Sequence, residues 1–208
     1  MRRTRDDAEQ TRAAILDAAA KLFCARGIDA TTLEAISRAA GVTRGAFYWH
    51  FRDKTDLVQA LCERSELPQR ALLQEAAETS HPDPLNLLER AGQDALIAFE
   101  TDADLRRVFQ ITSRSTGDAD VAAWLAKDKC AVYALLNRII TQAQNNGQLR
   151  PDFNANEATV LVMAVMDGLL NEWLRSSRAF PLAELGGKIL RAQIAMLRVV
   201  NAPTPPPQ

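Results

Sequence analysis

Between Thr31 and Leu57 the chain has room for two short helices joined by a tight turn, and for little else. Thr31-Thr32-Leu33-Glu34 carries a hydroxyl residue followed three positions later by Glu, the capping-box pattern that opens a helix. Leu33, Ile36 and Ala40 fall on one face of that helix, and Gly41 stops it. Thr43 can cap a second short helix running to about His50, and Asp53 a further one from Lys54 onward. Two short helices about a glycine turn have the geometry of a helix-turn-helix, whose second helix enters the major groove of DNA.

The rest of the chain also reads as helix. Ile15, Ala18, Ala19, Leu22 and Phe23 recur at steps of three and four before Gly27. Further helices are expected over Leu85–Glu100, Ala103–Ser115, Asp120–Asn146, Asn156–Ser176 and Leu182–Val200, punctuated by Asn145-Asn146-Gly147 and Phe180-Pro181. The helix that starts at Lys54 contains Pro68, which should bend or end it. No useful strand alternation occurs. The expectation is an all-α fold of about nine helices. It divides into a basic arm (1–8), a three-helix DNA-binding head (9–54), a larger ligand-binding and dimerisation domain (55–200) and a disordered Pro-rich tail (201–208).

Composition narrows the function. Residues 1–55 hold ten Lys and Arg against seven Asp and Glu, and the remainder fifteen against nineteen, so a basic head precedes an acidic body. No secretory leader is expected from Met1-Arg2-Arg3-Thr4-Arg5, and the longest apolar run, Val160 to Met166, is too short to span a bilayer. Cys24, Cys62 and Cys130 are odd in number and widely spaced, which suits buried thiols in a reducing cytoplasm. No nucleophile–base pairing, phosphate loop or metal spacing is present, so neither an enzyme nor a cofactor is expected.

The second helix of the pair carries the chemistry. Arg44, Tyr48, Trp49 and His50 bring donors and flat amphipathic rings, and Gly45 and Ala46 let the backbone approach DNA closely. Phe23, Leu33, Ile36, Val42, Phe47 and Phe51 are assigned to the small core beneath. Gly27, Thr31-Thr32-Leu33, Ile36, Ala40-Gly41-Val42 and the run Thr43 to Phe51, followed by Lys54 and Leu57, resemble the TetR family of bacterial repressors over residues 9–60. That resemblance implies DNA contacts from Thr32, Thr43, Arg44, Gly45, Tyr48, Trp49, His50 and Lys54. Arg44 can fork onto a guanine edge or pair with a phosphate. Lys54 resembles the family's phosphate-gripping lysine, and Thr32 serves either a phosphate or only its own helix. Arg2, Arg3 and Arg5 offer a basic arm.

Asp167-Gly168-Leu169 before Trp173-Leu174 resembles the multidrug-efflux repressors within that family. The resemblance implies a pocket for an apolar or amphipathic inducer lined by Phe99, Phe109, Ser113, Met163, Met166, Asp167 and Asn171. Asn171 departs from the cationic residue often found near that point. Asp167 ends an apolar run and needs a partner, either an arginine such as Arg106, Arg107 or Arg114, or a ligand. Leu170, Trp173, Leu174, Leu185, Ile189 and Ile194 give the last two helices too much apolar surface for a monomer edge, so a homodimer on a palindromic operator is expected. Gly186-Gly187 would permit close helix approach. The implied function is a ligand-responsive repressor of an efflux or detoxification operon. The alternative is a ligand-blind or thiol-gated DNA-binding regulator, Cys130 being the thiol in the sensing half. A continuous fourth helix, weakened at Pro68, would be the lever between sensing and DNA reading.

Overall fold

The computed structural model describes residues 5–65, 68–114 and 116–199; Arg2, Arg3 and the Pro-rich tail lie outside them. The helices are α1 (Arg5–Arg26), α2 (Leu33–Ala39), α3 (Arg44–His50), α4 (Lys54–Arg64), α5 (Pro68–Glu78), α6 (Pro84–Thr101), α7 (Ala103–Thr112), α8 (Ala119–Asn145), α9 (Ala155–Arg175) and α10 (Leu182–Leu197). Among the described residues there is no strand, only one isolated bridge between Leu149 and Arg198. The fold is all-α, with ten helices among the described residues where about nine were expected, because α4 ends at Arg64 and a separate helix, α5, begins at Pro68. Pro68 opens α5, where its missing N–H has no ladder partner to lose. A continuous lever from Lys54 past Pro68 is therefore not what forms. α1 has begun by Arg5, with Asp6 and Asp7 in its first turn, where acidic side chains favour a helix start.

Local chemistry sets the other boundaries. Thr32, not Thr31, caps α2, accepting from Ala35 N at 3.1 Å. Thr31 is buried and donates its hydroxyl to Gly27 O at 2.7 Å instead, and Glu34 pairs with Arg38. Thr43 caps α3 through Ala46 N, and Asp53 caps α4 through Asp56 N. Gly27 and Gly41 close α1 and α2 at φ of +80° and +68°, in the left-handed region that favours glycine.

The chain forms two compact units. The first comprises residues up to Glu66 together with Asp102–Lys129, and so extends beyond the expected head. The reason lies in α1, where Ile15, Leu16, Ala18, Ala19, Ala20 and Phe23 are all buried. A helix apolar on so wide an arc needs cover on more than one side. Ile36, Phe47, Phe51, Leu57 and Leu61 cover part of it, and Val108, Ile111 and Val121 join the same cluster. Each such side chain contributes about 1.5–3 kcal/mol on burial.

The second unit holds α5, α6, α9, α10 and α8 beyond Lys129. Its core gathers Leu85, Leu88, Ile139, Ile140, Leu149, Ala158, Ile194 and Leu197. α6 and α10 approach closely at Gly186 and Gly187: a methyl on Gly186 would stand 2.7 Å from Leu96 Cδ1, and one on Gly187 1.8 Å from Gln93 Oε1. The glycine pair thus serves packing inside the chain. Pro181 gives α10 no side-chain cap, and Glu100 of α6 supplies it, accepting from Leu182 N at 2.8 Å and Ala183 N at 3.3 Å. No helix among the described residues is long and apolar enough to cross a membrane.

Candidate nucleic-acid interface

Phe47 anchors α3. It is wholly buried, with its ring 6.1 Å from that of Phe51 and edge-on to Tyr48 at 5.5 Å. Burial of that position turns the helix so that Arg44, Gly45, Tyr48 and Trp49 face solvent, Trp49 with 72% of its surface exposed. A large exposed aromatic on a two-turn helix gains nothing from the chain's own core. Arg44 lies with its guanidinium carbon 5.6 Å from the Tyr48 ring centre, a cation–π distance that holds the fork on the exposed face. A methyl built on Gly45 would meet nothing within 4 Å, so the open space there is outside the protein. Thr32, Leu33, Glu34, Ser37, Arg44 and Tyr48 line a cleft between α2 and α3.

The remaining candidates are placed differently. Thr32 and Thr43 are exposed but spend an oxygen lone pair on capping. His50 is half-buried, edge-on to Trp49 at 4.5 Å, with its Nε2 out of solvent. Lys54 is turned inward: its Nζ donates to Ile28 O at 3.0 Å and Asp29 O at 3.4 Å. Sequence reasoning passed over Arg52, which is exposed beside α3. Its fork is bidentate to Asp56 at 2.6 and 2.7 Å, and that bond holds the Asp56 carboxyl below the usual carboxylate range. The i, i+4 spacing of Arg52 and Asp56 was the available signal.

The family model described as "Bacterial regulatory proteins, tetR family" matches residues 15–61, and that of the "BetI-type transcriptional repressor, C-terminal" matches residues 88–198. The "HTH-type transcriptional repressor BepR" of Brucella suis is 38% identical, over 95% of this chain and 97% of that protein. The chain belongs to the TetR family. Members of that family are DNA-binding regulators of transcription, so this is not an enzyme. The regulator TtgR of Pseudomonas putida is 34% identical over 84% of this chain and 85% of its own. Native NalD, a repressor of the MexAB-OprM multidrug efflux pump in Pseudomonas aeruginosa, superposes with a TM-score of 0.80 at 30% identity, covering 94% of this chain and all of that one. A SmeT–triclosan complex superposes with a TM-score of 0.77 at 29% identity, over 95% and 99%.

In this TetR-family chain the inducer-pocket candidates do not all fall in one unit. Phe109 and Ser113 belong to the first; Phe99, Met163, Met166, Asp167 and Asn171 belong to the second. Phe99 is buried with its ring 5.9 Å from that of Trp173, and Met166 lies near Gly92 of α6. Ser113 and Asn171 bond their own helical backbone, at Phe109 O and Asp167 O, and both are exposed.

Of the interface candidates, Leu185 is exposed, and Leu170, Leu174 and Ile189 are half-buried. Trp173 and Ile194 are each only 3% exposed inside their own chain. Trp173 Nε1 donates to Phe180 O at 2.8 Å, and Ile194 belongs to the second core, so neither side chain is available to a seam. Exposed residues that the sequence reading missed are Val160, Ala164 and Gly168 on α9 and Ala192 and Met196 on α10. Their spacing of four was the signal, obscured because every neighbouring position of α9 is apolar as well.

Proposed function

We propose that the chain is a homodimeric repressor of an efflux or detoxification operon, released from a palindromic operator by an apolar or amphipathic small molecule. The exposed group Arg44, Tyr48 and Trp49 around open Gly45 carries the DNA-reading half of this proposal. Arg44 is suited to a bidentate base contact, Tyr48 and Trp49 to backbone and base-edge contacts, and Gly45 to close approach. Thr32 and Thr43 keep a hydroxyl proton for a phosphate while their oxygens cap α2 and α3.

A single head makes few base contacts, so two copies are needed on two half-sites about one helical turn apart. The half-exposed apolar α9 and the exposed stripe Leu185, Ala192 and Met196 on α10 support pairing of these helices with their copies. The proposed division is a head over residues 9–54 and a sensing and pairing body over 55–200.

Repression of an efflux operon is supported by relatives named as efflux-pump repressors, and the inducer class by triclosan bound to SmeT. An inducer can lower operator affinity only if it prefers a conformation that fits the operator less well. The experiment is a gel-shift titration of the full chain on the intergenic duplex beside its own gene, with and without triclosan. Retention of the duplex at nanomolar protein and its release by triclosan are expected. No retention would refute the regulator reading. Retention unaffected by triclosan but abolished by oxidant would favour the thiol-gated alternative, in which exposed Cys130 is the sensor.

A further inference from the structure

A polar cluster ties the α1–α2 corner to the loop that leads into α8. The Asp29 carboxylate accepts from Thr116 Oγ1 at 2.5 Å, from Gly117 N at 2.8 Å and from Asp118 N at 3.2 Å. Arg114 Nη1 donates to Cys24 O at 3.0 Å in the same corner. Lys54 joins the cluster from the first turn of α4. Besides its two carbonyl bonds to Ile28 and Asp29, its Nζ stands 3.8 Å from Asp118 Oδ2. Asp118 is fixed in turn by accepting from Val121 N, which caps the start of α8.

An ammonium has three donors. Lys54 gives two of them to carbonyls, stands within ion-pair range of the Asp118 carboxylate, and keeps its side chain only 21% exposed. A lysine so engaged is turned into the protein and would have to leave these partners to reach a phosphate. It also sits close enough to Asp29 to favour that group's charged form. Only Phe51, Arg52 and Asp53 separate the end of α3 from Lys54, and Phe51 is buried in the core. The position of the Lys54 backbone therefore sets where α3 ends.

We propose that Lys54, Asp29 and Asp118 form a latch that positions the recognition helix, so that Lys54 is a positioning residue and not a phosphate contact. This rests on the reading of the chain as an operator-binding regulator. Hydrogen bonds to base edges weaken steeply with distance and angle, so a small displacement of α3 loses them. Release of Lys54 also leaves two carboxylates, Asp29 and Asp118, without their shared cation.

The test uses the full chain as wild type, Lys54→Met, Asp118→Asn and the double variant. Two quantities are measured: operator affinity over a range of salt, and hydrogen exchange at the Gly117 and Asp118 amides. A latch predicts that each single variant loses about tenfold in affinity, a coupling of ordinary size. The slope of log affinity against log salt stays unchanged, because no phosphate contact is lost. The double variant binds no worse than the weaker single, since both break one unit. Lys54→Met also exchanges faster at the two amides. The proposal is overturned if Lys54→Met reduces the salt slope by about 1 while Asp118→Asn binds as wild type, the signature of a phosphate contact. It is also overturned if exchange at both amides is unchanged. Failure of the wild type itself to bind would instead strike the regulator reading, and the exchange measurement then decides the latch alone.

Discussion

The guanidinium of Arg44 lies over the ring of Tyr48 one helical turn along α3, 5.6 Å from its centre. Arg44 is exposed and Tyr48 touches the core only through the edge of Phe47, so Arg44→Ala should leave the melting temperature unchanged and Tyr48→Ala should lower it slightly, with the fold intact in both. Specific operator affinity should fall by about 1–3 kcal/mol per half-site for a lost base contact. Loss of Arg44 should also free the Tyr48 ring, making the double variant less than additive. Gel shifts on specific and scrambled duplexes check this; unchanged discrimination by Arg44→Ala would remove it from base readout.

Gly45 separates stability from recognition. A methyl there meets no protein atom within 4 Å, and alanine is the better helix former by about 1 kcal/mol. Gly45→Ala should therefore be as stable as wild type or more so, while binding the operator more weakly because the methyl occupies space meant for DNA. Thermal melts paired with operator titrations measure both signs. A variant that gains stability and keeps full affinity would show that α3 does not approach DNA on this side.

These two residues also show what a sequence can reveal. Thr43, Asp53, Gly27 and Gly41 act on amides or dihedral angles within a few positions of themselves, so their helix boundaries were readable from local chemistry. The exposure of Arg44, Tyr48 and Trp49 was readable because a pattern of rings and donors has no use in a core. Lys54 was not, because its partners Ile28, Asp29 and Asp118 arrive through tertiary packing from both directions along the chain. Trp173 and Ile194 were assigned to a seam because apolar residues on an amphipathic helix suit a seam and a core equally well; burial in the chain's own core distinguishes them. The recruitment of Val108, Ile111 and Val121 to the first core likewise leaves no local signature.

The two glycines of α10 should respond unequally. At Gly186 an added methyl meets Leu96, which is wholly buried and cannot yield without strain of about 1–3 kcal/mol. At Gly187 it meets the end of Gln93, which can swing away at the loss of its bond to Ala183 O, about 0.5–1.5 kcal/mol. Both gain about 1 kcal/mol of helix propensity. Gly187→Ala should come out near neutral and Gly186→Ala clearly destabilised. Denaturant unfolding of the two variants checks the order, and its reversal would contradict the α6–α10 packing.

Pairing of subunits is tested from the exposed stripe. Val160→Glu and Leu185→Glu each place a charge on surface that is open in the single chain. Neither should unfold the chain, and their combination should yield monomers that have lost operator binding. Light scattering gives the mass and circular dichroism the helix content. Intact dimers would put the interface elsewhere. Trp173→Glu is the control: it should unfold the second unit, because that ring is buried against Phe99.

Acid should weaken the first unit through Asp29. Its carboxyl is held below the usual carboxylate range, chiefly by the Gly117 amide and then by the Thr116 hydroxyl. A carboxylate depressed in the folded state stabilises that state above its unfolded pKa, and the contribution disappears as pH falls through the folded value. The stabilisation should therefore be full at neutral pH and decline only below the ordinary carboxylate range. Asp29→Asn removes the titration and keeps one acceptor, so the variant should be less stable than wild type at pH 7. The gap should close as pH is lowered through and below 3.8, the ordinary value for this group. Asp83, held down first by its bond to Arg198, should follow the same course in the second unit. Urea melts from pH 7 downward, comparing wild type with Asp29→Asn, measure the gap. A difference that stays constant over that range would mean that Asp29 contributes through shape and not through charge.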